Sequence, residues 1–199
     1  MVSTIFTDLF QKGALAGIKD QRSAASREWY RKAALRTMVA PGKLLTADAS
    51  RLTTRMDIGS MYLFKYDPKT KDKLPYYDTF PLVFPINTAQ GGFLGINMHY
   101  LAIPLRAQLM DALHSLTTDK QYTEKTSLAV SYKILNGLSR FRFFKPCIKH
   151  YLSDHMQTRF FKIMPNEWDM ALWMPLQNFV KASASKVHRD SANRIGGLK

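Results

Sequence analysis

The segment between residues 139 and 162 interleaves cationic and aromatic side chains, a composition typical of nucleic-acid surfaces. Arginine and lysine neutralise backbone phosphates, and aromatic rings stack on unpaired bases. We expect most of Phe141, Phe143 and Phe144 to belong to the core, and some of the cations to contact phosphates. The candidate phosphate-binding residues in this segment are Arg140, Arg142, Lys145, Lys149, Arg159 and Lys162.

A second cationic group lies near the N-terminus. The sequence predicts a helix that begins near Glu28 and ends before Pro41-Gly42, and its further candidates for phosphate contact are Arg27, Arg31 and Lys32. These three residues are spaced so that they share one helical face. A solvated face opposite the apolar residues is an equally good interpretation of the same pattern.

Cys147 and His150 are three residues apart and would be neighbours on a helix, as in a nucleophile pair. A structural zinc site usually needs four Cys or His ligands, and the chain has one cysteine. Phe144 and Pro146 place that cysteine among apolar residues, where a free thiol is usually packing material. The sequence therefore favours neither a nucleophilic nor a metal-binding role, and we predict no cofactor.

Asp67 and Lys69 form a pair that metal-dependent nucleases use, with Asp57 and Asp78 as possible further carboxylates. A polar turn explains the same residues without chemistry. The chain has no Walker loop, dinucleotide glycine pattern or hydrolase nucleophile motif. We therefore predict that it is not an enzyme. His99 is either part of a cleft or, as we favour, a buried structural histidine.

The charge distribution supports a polyanionic partner. The chain has 199 residues, 29 Lys+Arg and 15 Asp+Glu, for a net charge of +14. Counting along the printed sequence gives ten basic and five acidic residues up to 60, four and three in 61–101, and fifteen and seven after that. The centre is thus nearly neutral between basic flanks, which favours a packed middle with binding surfaces on either side. No apolar stretch approaches the length of a membrane span, and we expect no signal peptide.

The elements that position these residues form an α+β fold. The alternation of Tyr62, Phe64 and Tyr66 predicts the first of three short strands. These strands form a small curled antiparallel sheet or open barrel (about 60–101), flanked by an N-terminal helical arm and a C-terminal helical region. Pro81 and Pro85 predict an edge or bulged second strand, and a helix is expected from about Pro146 to Phe160. We divide the chain into an arm and linker (1–58), a single core domain (59–180) and a flexible basic tail (181–199).

Several long segments resemble the DNA end protector proteins of contractile-tailed phages. The resemblance covers about residues 60–180, and no catalytic residue carries over with it. It is carried by Met61–Lys69, Leu74–Asp78, Phe80–Val83, Gly92–Leu101, Phe144–Leu152 and Glu167–Trp168.

That resemblance implies a virion protein that acts late in head assembly and shields the terminus of the packaged genome from exonucleases. Its partners would be a double-stranded DNA end and other virion subunits, such as portal, neck or tail proteins, in a symmetric assembly. It would reside in the virion and, during assembly, in the host cytoplasm. The alternatives are a structural neck, tail or baseplate component that never touches DNA, and a metal-dependent nuclease.

Overall fold

The fold is known from a computed structural model that describes residues 5–18, 23–37, 40–117, 137 and 145–196. Within these residues it is a mixed α+β fold with helices at both ends of the chain, as the sequence predicts. Two of the candidate phosphate-binding residues, Arg140 and Arg142, lie outside the described residues. So do Phe141, Phe143 and Phe144.

An antiparallel sheet forms the centre of the described chain. Six strands pair in the order β1-β7-β2-β4-β5-β6 without closing into a barrel, and β3 pairs with β8 beside them. The strands are β1 (Leu52–Thr53), β2 (Met61–Leu63), β3 (Tyr77–Asp78), β4 (Leu82–Ala89), β5 (Gly92–Asn97), β6 (Ile148–Leu152), β7 (Phe160–Ile163) and β8 (Phe179–Val180).

The sheet is larger than the segment 60–101 that the sequence indicates, because β6 and β7 join it from the C-terminal half. The helix predicted from Pro146 to Phe160 is wrong: this segment holds β6, a short 3-10 turn and the start of β7. Apolar residues four apart fit a helix, but here they lie on two strands separated by a turn. β6 pairs with β5 through Phe93 and Tyr151, which face the same side.

Pro85, the one proline within β4, has the effect expected of a bulge. The register shifts between Pro85 and Asn87. Proline has no backbone N–H, and the bulge means that the ladder does not need a hydrogen-bond donor there. The edge position that the prolines also suggested is not seen, since β4 pairs with both β2 and β5.

The two faces of the sheet have different neighbours. Met61 and Leu63 of β2 point into the larger core, together with Trp168 and other apolar residues of the helices. Tyr62, between them, points to the opposite face, where an aromatic cluster forms. That cluster, the aromatic face below, consists of Tyr62, Phe64, Tyr66, Val83, Phe93, Tyr151 and Phe160.

The helices cover the first face. They are α1 (Ile5–Leu15), α2 (Ala24–Thr37), α3 (Pro41–Ala47), α4 (Ile103–Thr117), α5 (Trp168–Trp173) and α6 (Ala184–Gly196). α2 packs on α1 and α5, and α4 also packs on α5. None of the helices in the described ranges has the length and apolar character needed to cross a membrane.

The C-terminal segment differs from the flexible tail that its composition suggested. Residues 184–196 form α6, in which Val187 and Ser191 are buried. The two residues are four apart and therefore share one helical face, which packs against the 3-10 turns at 98–100 and 145–147. His188 of this helix also donates from Nε2 to the carbonyl of His99 at 2.8 Å, which attaches the helix to the sheet layer.

Candidate nucleic-acid interface

The three candidate cations of α2, Arg27, Arg31 and Lys32, are engaged by acidic groups. Arg27 is 17% exposed, pairs with Asp111 of α4 through both guanidinium NH groups, and lies 3.8 Å from Asp169 of α5. This arginine therefore ties three helices together. Its partners are distant in sequence, so no local pattern could reveal them.

Arg31 and Lys32 share one partner within their own helix. The Arg31 guanidinium hydrogen-bonds Glu28 at 2.7 and 2.8 Å, and Lys32 Nζ lies 3.4 Å from the same carboxylate. The hydrogen bond from Arg31 holds the pKa of Glu28 well below its usual range. The predicted stripe on α2 thus carries less net charge than its arginines and lysines alone suggest.

The second group of candidates lies on β6, on β7 and on the turns that precede these two strands. Lys145 is exposed on the turn before β6, Lys149 is half-buried on β6, and Arg159 is exposed directly before β7. Lys162 of β7 has its Nζ atom 3.0 Å from the Asp57 carboxylate. The candidates therefore divide into an α2 set on the helical layer and a set on β6 and β7.

The strand register brings two further cations to Arg159. Arg55 follows β1 by two residues and Lys65 follows β2 by two residues, while Arg159 precedes β7. Both β1 and β2 pair antiparallel with β7, so these three positions lie at the same end of adjacent strands. Backbone hydrogen bonding from Gln157 to Lys65 at 2.9 Å continues the pairing there.

We call Arg55, Lys65 and Arg159 the basic cluster. All three are exposed, and none forms an ion pair with a carboxylate in the described part of the chain. Sequence reasoning found only Arg159, because Arg55 and Lys65 become its neighbours only through the long-range register. Most acidic side chains of the described residues are paired with cations outside the basic cluster. They are Glu28, Asp48, Asp57, Asp67, Asp111, Glu167, Asp169 and Asp190.

A pocket of about 370 Å³ opens between β6 and the segment from Tyr66 to Asp78. Five tyrosines are among the residues that line it, and cationic or titratable side chains lie beside them. We call it the tyrosine pocket; its rings are Tyr66, Tyr76, Tyr77, Tyr100 and Tyr151, and its basic side chains are Lys69, Lys149 and His150.

Lys149 is the most perturbed cation of this pocket. Its Nζ atom lies 4.0 Å from the centre of the Tyr100 ring, a cation–π contact. Burial lowers the pKa of Lys149 to about 8. The side chain is therefore protonated at neutral pH but has lost much of its hydration, which favours contact with an anion.

Beneath the pocket, Asp78 and His99 form a buried pair. Oδ2 of Asp78 lies 2.6 Å from Nδ1 of His99, and Asn97 donates to the same oxygen at 3.2 Å. Burial raises the pKa of Asp78, but His99 and two backbone N–H donors lower it by more than burial raises it. The pKa of Asp78 is therefore below its usual value. Burial lowers the pKa of His99 in spite of the neighbouring carboxylate. The pair is thus an ionised carboxylate and a neutral imidazole, and the preferred interpretation of His99 as structural agrees with its burial.

Arg106 fixes the turn that carries His99 and Tyr100. Its buried guanidinium donates to the carbonyls of Leu101 at 2.8 Å, Leu172 at 3.1 Å and His99 at 3.2 Å. Burial lowers the pKa of Arg106 to about 10, so it remains cationic at neutral pH. Sequence reasoning missed this residue, although an arginine beside Leu105 on an apolar helix is a recognisable signal.

The candidates for catalysis do not assemble. Cys147 is buried, burial raises the pKa of its thiol to about 12, and His150 is exposed on β6. The helix that would have made them neighbours is absent from this segment. Asp67 pairs with Lys71 at 2.9 Å, while Asp57 and Asp78 have the separate partners described above. Within the described ranges, no cluster of three or more His, Cys, Asp or Glu residues is arranged to hold a metal ion.

Comparison with known proteins gives one family. Residues 15–195 match the family described as "Phage T4 terminal DNA protecting protein". No curated protein and no solved structure matches the chain. The match includes most of the helices and all the strands, and with them the basic cluster and the tyrosine pocket. The chain therefore belongs to the family of phage T4 terminal DNA protecting proteins.

Proposed function

We propose that this chain is a non-enzymatic virion protein that binds the end of the packaged duplex genome and covers it. The observation that carries the proposal is the basic cluster of Arg55, Lys65 and Arg159. It presents three exposed cations without carboxylate partners in the described structure, whereas Arg27, Arg31 and Lys32 of α2 are paired. Family membership gives the DNA terminus as the class of target.

The proposed mechanism is occlusion. Cations on or next to the strands hold backbone phosphates near the terminus, a contact that does not depend on base sequence. Further cations of these strands are Lys149 on β6, Lys162 on β7 and Lys145 on the turn before β6. The aromatic face of the same sheet is tightly packed, with the Phe64 ring centre 5.4 Å from that of Tyr151 and 5.2 Å from that of Phe160. A rigid surface placed over the last base pairs denies a nuclease its entry point.

The helical layer is available for other virion subunits. Leu15 and Leu35 are 89% and 49% exposed, and a groove between α1 and α2 is bordered by Lys12, Lys32 and Arg36. Exposed apolar groups with a charged rim are typical of protein interfaces. We propose that portal, neck or tail subunits dock there in a symmetric assembly. We propose in addition that the protein resides near the portal during head completion.

Competition binding tests the proposal. A linear duplex and the same duplex closed by hairpin loops at both ends compete for the full-length protein. We expect the open duplex to bind more tightly, and the variant Arg55→Gln/Lys65→Gln/Arg159→Gln to lose affinity for both. The matched control Arg31→Gln/Lys32→Gln on α2 should bind like the wild type. Loss of affinity in the control alone would place the DNA on the helical layer instead.

Incubation of the same duplex with Mg²⁺ tests the non-enzymatic part. We expect the DNA to remain intact. Cleavage that disappears in Asp67→Ala would instead identify a metal-dependent nuclease. A protein that binds neither duplex at low salt would be the structural component that docks on subunits without contacting DNA.

A further inference from the structure

The tyrosine pocket has the size of a small-ligand site. Its volume of about 370 Å³ lies at the lower end of the range for such pockets, roughly 300–1,000 Å³. An intact duplex is far too wide to enter it. A single unstacked nucleotide is of the size class that such a pocket holds.

The walls present aromatic surface on a rigid support. Tyr66, Tyr76 and Tyr100 are almost fully buried and hold the wall in place, so the half-exposed Tyr77 offers the most accessible ring of the pocket. Tyr151 stacks on Phe93 with 5.2 Å between ring centres and 25° between planes. Stacking on such rings favours any base, because every base has a π face.

The polar groups of the pocket suit a phosphate. Lys149 lies against the Tyr100 ring, and Lys69 and His150 are exposed nearby. The pocket's one carboxylate among the described residues, Asp78, accepts from Phe80 N and Asn178 N on Oδ1 and contacts Asn97 and His99 on Oδ2. Because both of its oxygens are occupied, this carboxylate is not presented to an incoming anion.

The backbone of the pocket adjoins that of the basic cluster. Lys65 of the cluster immediately precedes Tyr66 of the pocket, and Tyr66 forms an isolated antiparallel bridge with Met156, three residues before Arg159. Tyr66 additionally accepts a hydrogen bond from Leu152 N at 3.1 Å, which fixes its ring beside β6. The pocket and the basic cluster are therefore joined through the short backbone segments 65–66 and 156–159.

We propose that the tyrosine pocket binds the terminal nucleotide of one DNA strand, unpaired from its complement, with the base among the tyrosine rings and a phosphate at Lys149 and Lys69. This inference rests on the proposed function. It adds a physical basis on which the protein distinguishes a DNA end from the interior of a duplex. Only a strand terminus supplies an unpaired nucleotide without disrupting base pairs on both sides.

The test uses the full chain and duplexes that have one hairpin end and one open end. The open end is blunt, carries a one-nucleotide overhang, or carries an abasic nucleotide as the overhang, on the 5′ or the 3′ strand. We expect one polarity of base-bearing overhang to bind about tenfold more tightly than its abasic counterpart, the effect of stacking one base on aromatic rings. The wild type alone suffices for this comparison.

Two variants locate the effect. Tyr77→Ala, which removes a half-exposed pocket ring, should abolish the difference between base-bearing and abasic overhangs while retaining affinity for the abasic duplex. Trp29→Ala, which removes a half-exposed ring on α2, should keep the difference. Equal affinity of wild type for base-bearing and abasic overhangs of both polarities would overturn the pocket assignment and leave end binding standing. Equal affinity for open and fully closed duplexes would overturn both.

Discussion

The Nζ atom of Lys149 lies 4.0 Å from the centre of the Tyr100 ring. The contact joins a residue of β6 to the turn after β5 and places a cation inside a pocket of tyrosines. A lysine in this position loses hydration, which lowers its pKa to about 8. Its charge therefore changes within a pH range in which DNA binding is easily measured.

Binding of DNA ends should weaken as the pH rises from 7 to 9. Protonated Lys149 binds phosphate, and its protonated fraction falls as the pH passes through about 8. The affinity for an open-ended duplex, measured by fluorescence anisotropy at constant salt, should decrease accordingly. Lys149→Arg keeps its charge over this range and should remove the decrease. An equal decrease in the arginine variant would assign the pH dependence to another group.

The salt dependence of binding should report the basic cluster. Each phosphate neutralised contributes about 0.9 to the slope of log affinity against log salt concentration. Replacing Arg55, Lys65 and Arg159 with glutamine should reduce the steepness by about that amount for each phosphate that is no longer neutralised. Titrations between 50 and 200 mM NaCl measure the slope. An unchanged slope in the triple variant would remove the cluster from the interface.

The free energy of unfolding should fall as the pH falls from 7 to 5. Burial lowers the pKa of His99 and that of His188, so the unfolded chain binds these protons at a higher pH than the folded chain does. Stability then decreases below about pH 6.5, by up to about 1.4 kcal/mol per pH unit for each histidine. Urea unfolding at pH 7, 6 and 5 measures this. Stability that stays constant over the range would show that His99 is not held neutral.

Removal of the Asp78 carboxylate should be strongly destabilising. Asp78→Ala leaves His99 Nδ1, one N–H of the Asn97 amide and two backbone N–H groups without their acceptor in a buried site. Each buried donor left unsatisfied costs about 1–3 kcal/mol, so a loss of several kcal/mol is expected. Asp72→Ala, at an exposed position in the preceding turn, is the control and should change stability by less than about 0.5 kcal/mol. Similar urea midpoints for the two variants would contradict the proposed role of Asp78.

Gly92→Ala should weaken the junction between β5 and β6. A methyl group at this position would collide with the carbonyl oxygen of Tyr151 on the neighbouring strand. We expect a loss of about 1–3 kcal/mol in thermal or urea unfolding, because the strands must separate to admit it. Gly42→Ala in α3, whose nearest side-chain atom would be 4.0 Å away on Phe80, should be neutral or slightly stabilising. Equal effects at the two positions would argue against close packing of β5 on β6.

The sequence identified the features that depend on local alternation and composition. Tyr62, Phe64 and Tyr66 alternate, and they do line one face of a sheet. Pro85 predicted a bulge, and β4 has one. The concentration of cations after residue 139 also directed attention to β6 and β7, and the structure places Lys149 on β6 and Arg159 directly before β7.

Features that depend on pairing between residues distant in the chain could not be predicted from local sequence patterns. Residues of β6 have apolar spacings that suit a helix, and only the partner strand β5 decides between the two structures. Arg55 and Lys65 look like isolated cations until the register of β1, β2 and β7 brings them to Arg159. Conversely, Arg27 looked exposed, and its pairing with Asp111 across 84 residues is a tertiary contact.

Digestion by a double-strand exonuclease tests the central claim most directly. A linear duplex saturated with wild-type protein should be degraded far more slowly than free DNA, with Arg31→Gln/Lys32→Gln protecting equally well. The triple variant of Arg55, Lys65 and Arg159, at the same total concentration, should lose protection while remaining folded by circular dichroism. Undiminished protection by the triple variant, or degradation of the wild-type complex at the rate of free DNA, would contradict the claim that these cations hold the genome end.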